Sequence, residues 1–265
     1  MITVTEILGQ LNQLAPMERK MDFDNVGFLV GHADHPVTAV MCSLDITEEV
    51  ISEAKENGCQ LIVSHHPVIF HPVKAVTDRN VPGKRLLGLI ENNIAAICMH
   101  TNLDAADRGV NAALADALSL QEPELLTIEG TDSDGIAYCC GRAGTLSLPE
   151  TMRDFLAHVK QALNADGLRY HDAGKTVSRV AVVGGSGGSY LQAAIEAGCD
   201  TLVTADIKYD VFLDAAAMGI NLIDADHFCT ENTVVPVLCG FLTAVFPELK
   251  VFISQNHGQT AKTYK

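Results

Sequence analysis

Basic residues are scarce in this chain. Lysine and arginine number 18 against 33 aspartates and glutamates, a formal net charge of −15, and phosphate binding needs clustered Lys and Arg. That balance excludes a general affinity for DNA, RNA or anionic membranes. A C-x-x-C pair is also missing. The eight cysteines (Cys42, Cys59, Cys98, Cys139, Cys140, Cys199, Cys229 and Cys239) are scattered through mostly apolar stretches, which suits buried thiols in a reducing compartment and not a disulfide framework or zinc knuckle. No run of about 18 apolar residues occurs, and Met1 to Glu6 lack a basic segment followed by an apolar core. A cytoplasmic protein that does not span a membrane is therefore expected. Tryptophan and low-complexity tracts are absent, while 48% of the 265 residues are hydrophobic. This is an ordinary globular composition, long enough for one large or two medium domains.

What the chain does contain is a set of short apolar runs that stop at polar chemistry. Ala39 to Leu44 predicts a strand, Thr47 the N-cap of a helix closed by Gly58, and Leu61 to Val63 a second strand. Such a β-α-β unit makes the two strands parallel. A helix around Arg85 to Asn92 and a strand over Ile94 to Met99 follow. The chain opens with a helix from Thr3 to Leu14, read as capped by Thr5. From Gln121 to Thr176 the composition shifts to turns, shorter strands and one amphipathic helix, Pro149 to Leu163. Then the first pattern returns. Glu56-Asn57-Gly58-Cys59-Gln60-Leu61-Ile62-Val63-Ser64 and Glu196-Ala197-Gly198-Cys199-Asp200-Thr201-Leu202-Val203-Thr204 share Glu, Gly, Cys and Val at a constant offset of 140, which suggests two related halves about a pseudo-twofold axis. The expected organisation is α/β: a first lobe over 1–120, an α+β connecting segment over 121–176 and a second lobe over 177–265, with mixed sheets around a central metal cleft.

Ligand-type side chains fall where the strands end. His65 and His66 follow Ser64 and precede Pro67; neighbours on a strand point to opposite sides, so both reach one cavity only if the backbone bends after Ser64. Asp104 lies beyond the next strand, after His100. In the second half, Asp206 stands opposite His66, and His227 and Glu231, four apart, share a face if a helix begins near His227. Three imidazoles and two carboxylates at strand ends have the makings of a two-metal site, with Asp104 bridging cations about 3.5–4 Å apart and an activated water as nucleophile. Donors of N and O without thiolate favour Zn, Fe, Mn, Co or Ni. His100, Asp24 and Asn25 could support the ligands or carry protons. His32, His35, His71, His158, His171 and His257 read as loop residues, and Cys229 stays open because it adjoins His227. The run Gly184 to Gly188 has the form of a phosphate-cradling turn, or equally of a plain strand-to-helix turn; Arg142, Lys208 and Arg108 are the cations that could assist it.

The motifs together resemble the Nif-three-like dinuclear-metal family, whose bacterial members are called GTP cyclohydrolase 1 type 2 homologues. The resemblance is carried by D-N-x-G-x-x-V-G at Asp24 to Gly31, S-H-H-P at Ser64 to Pro67, H-T-N-L-D at His100 to Asp104, G-V-N at Gly109 to Asn111, the G-G-S-G run, and D-x-x-H-x-x-x-E at Asp224 to Glu231. It implies two α/β lobes, two divalent ions per subunit held by His65, His66, Asp104, His227 and Glu231, and a ring-shaped homohexamer built as a trimer of dimers. Catalytic roles would fall to His100 and Glu231. The activity expected is metal-dependent hydrolysis of a small nucleotide-like or cyclic amide substrate. The alternatives are a non-catalytic metal-handling protein and a regulatory hexameric scaffold.

Overall fold

The computed structural model describes residues 1–264. Its chain forms two compact α/β units, one comprising 1–103 with 235–258, the other 104–234 with 259–264. The first begins with α1 (Val4–Leu14), β1 (Gly27–Val30), β2 (Ala39–Ser43), α2 (Glu48–Glu56), β3 (Leu61–Ser64), α3 (Val81–Glu91), β4 (Ala95–Cys98) and the short α4 (Thr101–Asp104), whose last residue opens the second. The second holds α5 (Val110–Ala117), β5 (Gln121–Leu125), the hairpin β6 (Gly130–Thr131) and β7 (Ala137–Tyr138), β8 (Arg142–Glu150), α6 (Met152–Ala162), β9 (Arg169–His171), β10 (Val177–Val182), α7 (Leu191–Glu196), β11 (Thr201–Thr204), α8 (Tyr209–Met218), β12 (Asn221–Asp224) and α9 (His227–Glu231). The first unit is completed by α10 (Val235–Val245) and β13 (Lys250–Ile253).

The expected repeat is present in the hydrogen bonds. In the first unit β2, β3 and β4 are parallel neighbours, with β1 antiparallel beside β4. In the second, β10, β11 and β12 are parallel, with β9 antiparallel beside β12. Cys59 N donates to Ala54 O and Cys199 N to Ala194 O, while Gln60 N donates to Ala39 O and Asp200 N to Arg179 O, each pair at the offset read from the sequence. Gly58 and Gly198 close the preceding helices at φ +64° and +73°, a left-handed conformation that costs glycine little.

Both sheets bury their central strands on two faces, as parallel strands do. Leu61, Ile62 and Val63 are wholly inaccessible, and burial of each stabilises by roughly 1.5–3 kcal/mol. In the second unit the alternation is clear. Val180 and Val182 join Phe155 and Val159 of α6 on one face, while Ala181 and Val183 join Leu191 of α7 and Ala215 of α8 on the other.

The unit boundaries differ from the three consecutive segments expected. Residues 121–176 are not a separate body, because β5, β8 and β9 belong to the second unit's six-stranded sheet. The segment 235–258 belongs to the first unit because β13 pairs in parallel with β2. The cap of α1 is Thr3 in place of Thr5: its hydroxyl accepts from Glu6 N and the Glu6 carboxylate accepts from Thr3 N, a capping box. The helical run His227–Val245 is long and apolar enough, by length and composition, to cross a membrane. It nonetheless carries His227, Glu231 and Asn232, and buries Val235, Leu238 and Leu242.

Candidate metal centre

The bend that the His65-His66 pair requires is made at Ser64, whose hydroxyl donates to the His66 carbonyl at 2.9 Å. His65 N and His66 N turn to the carbonyls of Ser43, the last residue of β2, and Leu44, the residue after it. The two rings then lie side by side, centroids 4.9 Å apart. His100, just past β4, completes a cluster in which the three imidazoles each place a ring nitrogen within 4.8 Å of the others.

Each of these imidazoles is held from behind. His65 Nδ1 donates to the Met99 carbonyl, His66 Nδ1 to Asp45 Oδ1 and His100 Nδ1 to Asp24 Oδ1, all at 2.8 Å. Carbonyl and carboxylate oxygens only accept, so the proton sits on Nδ1 and the lone pair of the neutral ring on Nε2. This is the orientation that metal-ligating histidines take from the groups behind them. Burial alone would raise the Asp24 carboxyl, but hydrogen bonds from His100 and from the Thr101 hydroxyl and amide outweigh it and hold the group well below the usual carboxylate range. Asp45 behaves likewise: burial opposes ionisation, and His257 and His66 overcome it. His257, expected to be a loop residue, therefore belongs to this network, with its Nε2 2.8 Å from Asp45 Oδ2. It lies 212 positions from Asp45, and no local pattern in the sequence marks such a pairing.

The second unit places Asp104, His227 and Glu231. Helix α9 does begin at His227, capped by Asp226 at φ +72°. Asp224 shapes that entry by accepting from Ile207 N and Asp226 N. His227 and Glu231 share the face read from their spacing, with Nε2 3.0 Å from Oε2. Behind the ring, Nδ1 meets Asp206 Oδ2 at 2.8 Å, which explains the aspartate found opposite His66. Asp104, at the end of α4, has a carboxylate oxygen within 4.8 Å of one from Glu231.

The glycine run serves this carboxylate and not a phosphate. Gly184 N donates to Asn111 Oδ1, Gly185 N to Thr230 Oγ1 and Gly187 N to Thr204 Oγ1, so those amides are already engaged. A Cβ on Gly185 would stand 2.1 Å from Glu231 Oε1, and one on Gly184 3.3 Å from Glu231 Cγ. Arg142 is no phosphate ligand either: it is buried, and its guanidinium donates to the carbonyls of Cys139, Gly141 and Ala106. Burial pushes the Cys98 thiol up to about 11 and Cys229 up to about 12, the latter with help from Asp226. Among the described residues, neither sulfur belongs to a group of ligand atoms gathered within 4.8 Å of one another. The donor set is thus imidazole and carboxylate, which fits a borderline divalent ion.

Residues 2–259 match the model of the family described as Duf34/NIF3 (NGG1p interacting factor 3). The chain belongs to that family. Among similar Duf34/NIF3 proteins, one from Clostridium perfringens, named GTP cyclohydrolase 1 type 2 homolog, is 34% identical over 234 residues, 88% of each chain. One of the same name from Clostridium acetobutylicum is 33% identical over 263 residues, 97% of each. The crystal structure of a Bacillus cereus protein related to NIF3 superimposes with a TM-score of 0.93 at 25% identity, covering 100% of this chain and 99% of that one. The Duf34/NIF3 assignment and the α/β fold expected from the motifs both hold.

Proposed function

We propose that His65 and His66 of the first unit, and Asp104, His227 and Glu231 of the second, are the ligands of two divalent cations per subunit, and that the protein is a metal-dependent hydrolase of a small nucleotide-like or cyclic amide substrate. The observation that carries this is the tethering of four imidazoles. His65, His66, His100 and His227 each have Nδ1 at 2.8 Å from an oxygen acceptor, a costly arrangement to repeat where nothing has to be oriented. Divalent cations at such donors supply Lewis acidity and lower the pKa of water, which is the chemistry of hydrolysis. Asp104 would supply a carboxylate to the ions. In this reading His100, which donates to Asp24, would carry a proton and Glu231 would accept one. The relatives' name supports a nucleotide-like substrate. The eight free cysteines, seven of them buried, support a cytoplasmic location. A homohexamer is part of the same proposal, supported by exposed apolar side chains such as Ile128, Leu148 and Leu213 and checked by light scattering.

The test is elemental analysis of untagged protein purified without added metal, beside His66→Ala and Asp104→Ala. About two equivalents per chain are expected, with at least one lost in each variant. Metal content unchanged in both variants would remove these residues from the site. Absence of turnover on nucleotides and cyclic amides by the loaded protein would leave a metal-handling role.

A further inference from the structure

Two phenylalanines stand in water beside the imidazole cluster. Phe23 is 66% exposed and Phe70 40%, in a chain where only 5% of residues are aromatic. The Phe70 ring lies perpendicular to His100, centroids 5.9 Å apart, and meets Phe23 edge-to-face at 6.3 Å. Both rings are attached to the same network that orients His100. Asp24, next to Phe23, accepts from His100 Nδ1, and Asn25 Nδ2 donates to the Ile69 carbonyl, next to Phe70, at 2.5 Å. One turn therefore fixes the imidazole, anchors the segment that carries Phe70, and turns Phe23 outward against it. Each edge-to-face pair covers one face of one ring, and His71 also lies against Phe70 with centroids 4.8 Å apart; the exposure of both rings shows that aromatic surface still remains open to solvent, and a flat π-system is what an exposed aromatic face binds.

We infer that Phe70 and Phe23 form a stacking subsite for the planar heteroaromatic ring of the substrate, holding that ring beside His100. The inference rests on the hydrolase reading and adds the feature of the substrate that the site selects. A cyclic amide with no aromatic ring would gain little from these faces, whereas a purine-like ring would gain much.

The chain contains no tryptophan, so Phe70→Trp and Phe23→Trp each install a single reporter. Both positions are exposed, and circular dichroism checks the fold of each variant. Guanosine and ribose 5-phosphate are titrated into each variant and, for the collisional baseline, into N-acetyltryptophanamide. Saturable quenching by guanosine in both variants, with none by ribose 5-phosphate, is the expected result. Phe70→Ala is expected to weaken guanosine binding by about tenfold or more in equilibrium dialysis at unchanged metal content. Quenching that is linear and equal to the free-indole baseline, or unchanged affinity in Phe70→Ala, overturns the inference. Metal is measured on the same preparations, which separates the two ideas. Metal that is bound by the wild type and lost in His66→Ala, with no saturable quenching, defeats the stacking subsite alone; saturable quenching in protein that binds no metal defeats the hydrolase reading alone.

Discussion

Replacing Gly185 with alanine tests whether the glycine run exists to make room for Glu231. Two costs arise. The first is conformational: φ is +63°, and a residue with a Cβ in the left-handed region pays roughly 1–2 kcal/mol. The second is steric: the new methyl would lie 2.1 Å from Glu231 Oε1 and 3.2 Å from His227 Cε1. Glu231 is only 4% exposed, so it has little space into which to retreat, and rearranging a packed buried group costs roughly 1–3 kcal/mol. Gly198 supplies the control, since its φ is +73° with nothing within 4 Å of an added Cβ. Gly198→Ala should pay the first cost and Gly185→Ala both. Urea unfolding after chelator treatment, which removes stabilisation by bound metal, should show Gly185→Ala less stable than Gly198→Ala by roughly 1–3 kcal/mol at equal m-value. Elemental analysis of the untreated proteins should show metal lost in Gly185→Ala alone. Equal losses of stability together with equal metal content would refute the argument.

Asp24→Ala should cost roughly 3–5 kcal/mol in the same unfolding assay, because the buried Thr101 amide and the half-buried Asn25 amide and His100 ring all lose their acceptor. A loss under about 1 kcal/mol would mean that solvent replaces the carboxylate at little cost. Glu53 makes a pH prediction: it is buried and accepts from Ser254 Oγ, Gln255 N and Asn256 N. Burial alone would raise its carboxyl, but these bonds outweigh it and depress the folded-state pKa. The stabilisation is therefore complete above the unfolded value of about 4.3 and disappears as pH falls through the folded one. Glu53→Gln should be less stable than wild type by roughly 1–3 kcal/mol at neutral pH, with the gap narrowing below about pH 4; a gap independent of pH would show that the carboxylate's charge contributes nothing.

The features legible in the sequence are those with a local cause. Gly58 and Gly198 mark helix ends because a left-handed residue is needed there, and the apolar runs over 61–64 and 201–204 mark strands because both faces are covered. His227 and Glu231 could be paired from helical spacing alone. Features fixed by distant partners were not legible. The return of 235–258 to the first unit depends on β13 pairing with β2, and neither strand's composition names the other. The Gly184 to Gly188 turn looked the same as a phosphate loop until its amides were seen donating to Asn111, Thr204 and Thr230. Phe23 and Phe70 carry no signal separately, 47 positions apart in the chain; their meaning comes from Asn25 reaching the Ile69 carbonyl.

The two halves of the repeat assign the same chemical parts to opposite positions. At the end of the middle parallel strand the first half has an imidazole, His66, and the second a carboxylate, Asp206. Each is one member of an imidazole–carboxylate pair at 2.8 Å, His66 with Asp45 and His227 with Asp206. At the offset of the repeat, the position of Asp45 is taken by Gly185, so the second half has no carboxylate there to hold a strand-end imidazole. The consequence is geometric. With the carboxylate moved to position 206, the imidazole must come from elsewhere, and it comes from the first residue of α9. The space left at 185 then receives the Glu231 carboxylate, one helical turn along. A single exchange of side chains between equivalent positions thus accounts for the glycine, for the aspartate opposite His66, and for the entry of the Glu231 carboxylate where the first half has the side chain of Asp45.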